Sequence, residues 1–143
     1  YDSDGIKNNN LIIVNKGILD NYFLATRSAR QLNLSAHGNS SPSNLILQNG
    51  EKSLKDLISG IDDGFFVTEM LGMSFNAVNG DYSRGAAGFK IDKGELSYPV
   101  SEVTIAGNMV DMLKNLTPAK DLEINDNINS PSILIENMTL AGL

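Results

Sequence analysis

The residues best equipped for chemistry fall in one run, Asn79-Gly80-Asp81-Tyr82-Ser83-Arg84-Gly85-Ala86-Ala87-Gly88-Phe89, where an acid, a phenol, a hydroxyl and a guanidinium stand side by side among small residues. Glycine tolerates left-handed backbone angles and lets another backbone approach, and Ala86 and Ala87 add little volume. The run is therefore expected to be a turn that delivers polar groups into a crowded place. Two roles are open to its charges. Asp81 and Arg84 pair locally and fix the turn, or Arg84 is left to bind a carboxylate or a peptide carbonyl. Tyr82 and Ser83 add hydrogen-bonding capacity, with no neighbouring base to make either a nucleophile. Glu69, inside the apolar stretch 65–70, is either the outward carboxylate of an alternating strand or a polar group turned into a cleft.

Other chemistries lack their residues. The chain has no cysteine and a single histidine, His37. That removes thiolate nucleophiles, disulfides and Cys-based metal sites; no HExxH helix exists, and a Ser/His/Asp triad is not expected from one histidine. Absence of cysteine also fits a reducing compartment. His37 lies in the Ser-, Gly-, Asn- and Pro-rich segment 35–44, which is expected to be a loop with the imidazole in solvent. The glycines from 80 to 88 match neither nucleotide-binding fingerprint. Asp2-Ser3-Asp4-Gly5 opens like a calcium loop, but Ile13 stands where the bidentate glutamate should close it, so a turn is expected.

With 143 residues, 41% of them hydrophobic, the chain can build one core of its own and is expected to form a single domain, 1–143. A formal net charge of -6 with interspersed signs provides no basic stripe, so nucleic acid is not expected as a direct ligand. No run approaches the roughly 18 apolar residues of a membrane helix, and a soluble domain with no membrane contact is expected. The chain opens at Tyr1 with no basic-then-apolar leader, and is expected to be a fragment of a longer protein.

The elements that must position these residues follow from periodicity. Apolar runs at 11–14 and 18–24 flank Asn15-Lys16-Gly17, a hairpin signal. A short helix is predicted over 25–32, a strand over 45–48, and a helix after Ser53 with Asp56 as the capping-box acid and Leu54, Leu57, Ile58 and Ile61 on its buried face. Strands are predicted at 65–70 and 74–78. A second hairpin follows around Asp92-Lys93-Gly94, then a helix over 108–116 with Met109, Met112, Leu113 and Leu116 inward, and short strands at 122–124, 132–135 and 138–140. Both hairpins carry an apolar, Asx, Lys, Gly, any, Leu pattern, read as one local solution to a tight turn rather than a duplication. The sum is an α+β, strand-rich fold, with a mostly antiparallel sheet, rolled or two-layered, and two or three short helices.

Several blocks of the sequence, in order, carry a resemblance: Gly38-Asn39-Ser40-Ser41-Pro42-Ser43-Asn44-Leu45, Val67-Thr68-Glu69-Met70-Leu71-Gly72, the run from Asn79, Tyr98-Pro99-Val100-Ser101-Glu102-Val103-Thr104-Ile105-Ala106-Gly107-Asn108, and Ile135-Glu136-Asn137-Met138-Thr139-Leu140-Ala141-Gly142. Together they resemble the C-terminal domain of the TldD/PmbA family, also called modulator of DNA gyrase, on its PmbA (TldE) side. The resemblance implies a cytoplasmic two-subunit peptidase. Its TldD-type subunit resembles a zinc metalloprotease with an HExxxH helix in the part N-terminal to this domain and a further cysteine ligand near its C-terminus, and its PmbA-type subunit lacks these ligands. Where that cysteine would fall, this sequence has Asn129-Ser130-Pro131-Ser132. The implied role is non-catalytic: completing a chamber with a TldD-type partner and holding unfolded peptides for that partner's zinc, in peptide maturation and antitoxin turnover. Asp81, Tyr82, Ser83 and Arg84, with Glu69 as a neighbour, are the expected substrate-binding residues, and no catalytic or metal residue is expected. The alternative is a non-proteolytic interaction domain acting on gyrase or on toxin–antitoxin systems.

Overall fold

A computed structural model describes residues 1–37, 44–72 and 74–142. The segment 38–43, within the loop expected at 35–44, lies outside the described residues. Strand accounts for 39% and helix for 14%, which makes the fold α+β and strand-rich as the periodicity predicts. The described residues divide into two compact units, Tyr1–Leu45 with Asp126–Ile128, and Ile46–Asn125 with Asn129–Leu143.

In the first unit, β1 (Val14–Asn15) and β2 (Ile18–Leu19) pair antiparallel. Lys16 and Gly17 between them have φ values of 49° and 80°, the paired positive angles of a tight hairpin whose twist matches its strands. Helix α1 (Thr26–Leu32) begins at Ala25, whose methyl group cannot cap. Asp4 supplies the missing acceptor from far along the chain: its Oδ2 receives the Thr26 N–H at 2.8 Å. Asp4 is held there by the expected turn, in which Asp2 Oδ1 accepts from the N–H groups of Asp4 and Ile6 and Gly5 takes φ 75°.

The second unit contains α2 (Leu54–Ser59), β4 (Asp63–Leu71), β5 (Asp81–Asp92), β6 (Glu95–Asn108), α3 (Met109–Lys114) and β7 (Leu116–Pro118). It ends with β9 (Ile133–Ile135) and β10 (Thr139–Ala141). Strands β3 (Leu45–Ile46) and β8 (Ile128–Asn129) stand at the limits of the two units. The capping box at α2 forms as predicted, with the Asp56 N–H donating to Ser53 Oγ and the Ser53 N–H to Asp56 Oδ2. Leu57 is buried and Leu54, Ile58 and Ile61 are half-buried, so the predicted stripe is the packed face.

Four strands form one antiparallel sheet in the order β10-β6-β5-β4. The turn between β5 and β6 places Lys93 at φ 49° and Gly94 at φ 81°. It repeats the Lys16-Gly17 geometry almost to the degree, as a turn chosen by local chemistry should. Ala86, Val103 and Ile105 form the buried centre of this sheet, with Phe65, Val67, Tyr82, Val100, Met138 and Leu140 packed around them. A smaller pairing joins β7 to β9, with Leu116 opposite Ile135.

Four expectations are corrected. The run from Asn79 is a turn only at its first residues, where Gly80 takes φ 81°, and from Asp81 it is a twelve-residue strand. Residues 74–78 form an isolated bridge, Phe75 to Tyr82, in place of a strand. Residues 122–124 are not paired as a strand, because the Leu122 N–H is taken by the side-chain carbonyl of Asn49 at 2.9 Å. In α3, moreover, Leu113 is 56% exposed, since the helix stops at Lys114 and Leu116 already belongs to β7.

Candidate functional site

The small residues of β5 have a structural cause. Thr68 is an extra residue in β4, between the pairs Val67–Gly88 and Glu69–Ala87. On the other side, Ser101 and Glu102 of β6 fall between the pairs Gly88–Val100 and Ala86–Val103. Both neighbours of β5 therefore bulge at Ala87 and Gly88. A Cβ on Gly88 would stand 1.9 Å from the Phe66 carbonyl oxygen, a distance that admits only glycine. The hydroxyl of Thr68 donates to the Ala87 carbonyl at 3.3 Å, and Glu102 takes φ 61°, a conformation that costs a non-glycine residue roughly 1–2 kcal/mol. Bulges re-aim side chains and interrupt pairing. Thr68 and Glu102 escape sequence reasoning because a bulge leaves no local signature.

Alternation along β5 divides the candidate residues between two faces. Tyr82 and Arg84 lie on the face of Ala86, opposite Gly107 and Ile105. Asp81 and Ser83 lie on the reverse face, as does Glu69, which pairs with Ala87. The structure thus brings Tyr82 to Arg84 and Ser83 to Asp81, and it separates Glu69 from Arg84 by the thickness of the sheet.

Each candidate has a distinct setting. The Asp81 carboxylate accepts from Asn79 Nδ2 at 2.7 Å and from Asn108 Nδ2 at 3.5 Å, and its own N–H returns to Asn79 Oδ1. Asn108 also donates to the Asn79 carbonyl and caps α3 by accepting from the Val110 N–H. Asp81 is therefore committed to the turn and the start of α3, and among the described residues it forms no ion pair with Arg84. Tyr82 donates its hydroxyl to Met70 Sδ at 3.5 Å, beside Met70 and Phe75, which are 49% and 53% exposed. Arg84 is half-buried, and its Nε is shut from solvent without a hydrogen-bond partner. A buried guanidinium donor with no acceptor is costly and calls for an explanation. Glu69 is exposed on β4.

Among the described residues no group of three or more His, Cys, Asp or Glu is placed to hold a metal ion, and His37 is exposed. Nor does any described helix have the length and apolarity to cross a membrane.

Comparison with known proteins gives a consistent result. The family described as PmbA/TldA metallopeptidase C-terminal domain matches residues 1–142. The chain is 40% identical over 144 residues to the Metalloprotease PmbA of Escherichia coli O157:H7, covering 99% of this chain and 32% of that protein. It is 39% identical over 146 residues to a Metalloprotease PmbA homolog of Buchnera aphidicola subsp. Baizongia pistaciae, covering 100% of this chain and 33% of that one. A crystal structure of a proposed modulator of DNA gyrase from Bacteroides thetaiotaomicron superposes with a TM-score of 0.89 at 33% identity, over 100% of this chain and 33% of that one. The chain thus spans about a third of the length of the curated relatives it matches.

Proposed function

Because this chain belongs to the PmbA/TldA metallopeptidase family, matching its C-terminal domain on the PmbA side, we propose that it is the non-metal-binding part of a peptidase assembly. In this reading it holds unfolded peptide for a TldD-type zinc-bearing partner in the cytoplasm, in peptide maturation and antitoxin turnover. Hydrolysis is assigned to the partner, in keeping with the chain's resemblance to the PmbA-type subunit.

The observation that carries the reading is the outer edge of β4. This nine-residue strand ends the sheet, and among the described residues no strand pairs with its far side. An edge strand binds an extended peptide through main-chain hydrogen bonds, which are indifferent to sequence and available only when the peptide is unfolded. The bulge at Thr68 divides the edge into short stretches, which discourages long pairing between copies while leaving room for a short peptide. Tyr82 and Arg84, one strand inward and next to exposed Met70, are proposed to contact the peptide's side chains or its carbonyl and carboxylate groups. Ser83, Asp81 and Glu69 border the same strands from the opposite face.

Alternate N-methylation of a bound peptide tests this. An N-methyl group blocks one main-chain donor, so a peptide methylated on the edge-facing residues should lose binding to the assembly, while the same peptide methylated on the alternate residues should keep it. Equal effects from both series would refute edge pairing. The second reading, a non-proteolytic domain acting on gyrase or a toxin–antitoxin system, is favoured by the description of the Bacteroides structure as a proposed modulator of DNA gyrase. It requires that peptide cleavage survive loss of the subunit.

A further inference from the structure

On the β10 side of the sheet, away from β4, a cavity of about 240 Å³ opens between α3 and the turn that enters β10, with Gly107, Asp111, Met112, Asn115, Glu136 and Met138 in its lining. Its floor is apolar. Met112 and Met138 are half-buried, and Gly107 leaves the space above them open, since a Cβ there would meet Met112 Cγ at 3.4 Å and Met138 Cε at 3.7 Å. Its rim is acidic and amide-rich. The Asp111 and Glu136 side chains are exposed, and among the described residues neither carboxylate has a hydrogen bond or an ion pair. The side chain of Asn115 donates to the Asp111 carbonyl and leaves its own oxygen as an acceptor. The two walls are tied together by the Glu136 N–H, which donates to the Asn115 carbonyl at 3.2 Å. No lysine or arginine lines the cavity.

We propose that this cavity receives a lysine or arginine side chain presented by a partner polypeptide, its methylene stem against the two thioethers and its charged head between Asp111 and Glu136. A long cationic side chain is apolar along its stem and polar at its tip, which is the order of surfaces from floor to rim here. Thioethers adapt their shape to such a stem. The chain's net charge of -6 adds a long-range attraction for a basic partner. A divalent cation would use the carboxylates but would have no use for the apolar floor. The inference does not depend on peptide pairing at β4.

The test uses the chain labelled with ¹³C at its methionine methyl groups. Acetyl-lysine methylamide and acetyl-arginine methylamide are titrated in, with the uncharged acetyl-norleucine and acetyl-citrulline methylamides as matched probes. The cationic probes should shift the Met112 and Met138 signals and leave Met70, on the far edge strand, unmoved. The uncharged probes should bind at least fivefold more weakly, and a D111N/E136Q variant should erase that preference. Equal response to charged and uncharged probes, no response at Met112 and Met138, or a response unchanged in D111N/E136Q would overturn the proposal. So would the same shifts produced by calcium chloride alone.

Discussion

Gly88 of β5 lies so close to Phe66 of β4 that a Cβ on the glycine would stand 1.9 Å from the Phe66 carbonyl oxygen. The clash is with backbone, so it can be relieved only by parting the two strands. Gly88→Ala should therefore destabilise the chain by about 3 kcal/mol or more, at the upper end of overpacking penalties. Gly85→Ala, three residues earlier, meets Leu71 Cβ at 3.3 Å and the Leu71 carbonyl oxygen at an ordinary 3.6 Å, and its loss should stay under about 1 kcal/mol. Urea unfolding of the two variants checks the contrast, and similar midpoints would remove the bulge explanation for the small residues of β5.

Arg84 and Asp81 should part company on substitution. Arg84→Met removes a buried donor that has no acceptor while keeping the length of the stem. Its stability should match or exceed that of the native chain, because an unpartnered buried polar group costs roughly 1–3 kcal/mol. Peptide processing by the reconstituted assembly should nevertheless fall at least tenfold, and Arg84→Ala should lose it as well. Retained processing with a folded domain would remove Arg84 from the binding role.

Asp81→Ala should show the opposite pattern. It breaks the contacts with Asn79 and Asn108 and should cost about 1 kcal/mol of stability, a typical value for a lost hydrogen bond. Peptide affinity at the temperature where the variant is folded should change little. Thermal melting paired with a peptide-binding titration separates the two effects.

Acid should loosen the chain at identifiable places. The Thr26 backbone N–H holds the Asp4 carboxyl below its usual range, Ser53 does so for Asp56 through its side chain and then its backbone, and Ser132 does so for Asp121 in the same order. A carboxylate whose folded pKa is depressed stabilises the fold above its unfolded pKa and loses that contribution as pH falls through the folded value. Stability should be level above pH ~5 and decline below pH ~4. Asp4→Asn and Asp56→Asn should be less stable than the native chain at pH 7 and converge with it near pH 2. A constant difference across that range would show that these carboxylates carry no such linkage.

What the sequence revealed divides along physical lines. The Lys16-Gly17 and Lys93-Gly94 turns and the Ser53–Asp56 cap were legible because each is settled within four residues by backbone angle or by a side chain reaching its own neighbour. The run from Asn79 reads as a turn and forms a strand because glycine and alanine are also what a central strand needs when both neighbours bulge against it, and that pressure comes from Thr68 and from Ser101–Glu102, far away in sequence. The candidate site was half legible. Residue types pointed to Asp81, Tyr82, Ser83 and Arg84, but reading them as a turn hid the alternation that separates Arg84 from Asp81 and Glu69. Had the run been read as a strand, the period of two alone would have divided them. The Asp4 cap on α1 joins residues 22 apart in sequence and has no signature in either segment.

The central claim is that a PmbA-type protein containing this domain contributes to peptide hydrolysis without a metal of its own. The most direct measurement is peptide cleavage by the full-length parent protein, alone and mixed with a TldD-type partner, each with and without a zinc chelator. Cleavage in the mixture that disappears on chelation, with none by the parent alone, is the predicted result. Cleavage by the parent alone, or cleavage by the partner that is unchanged when the parent is left out, would contradict it.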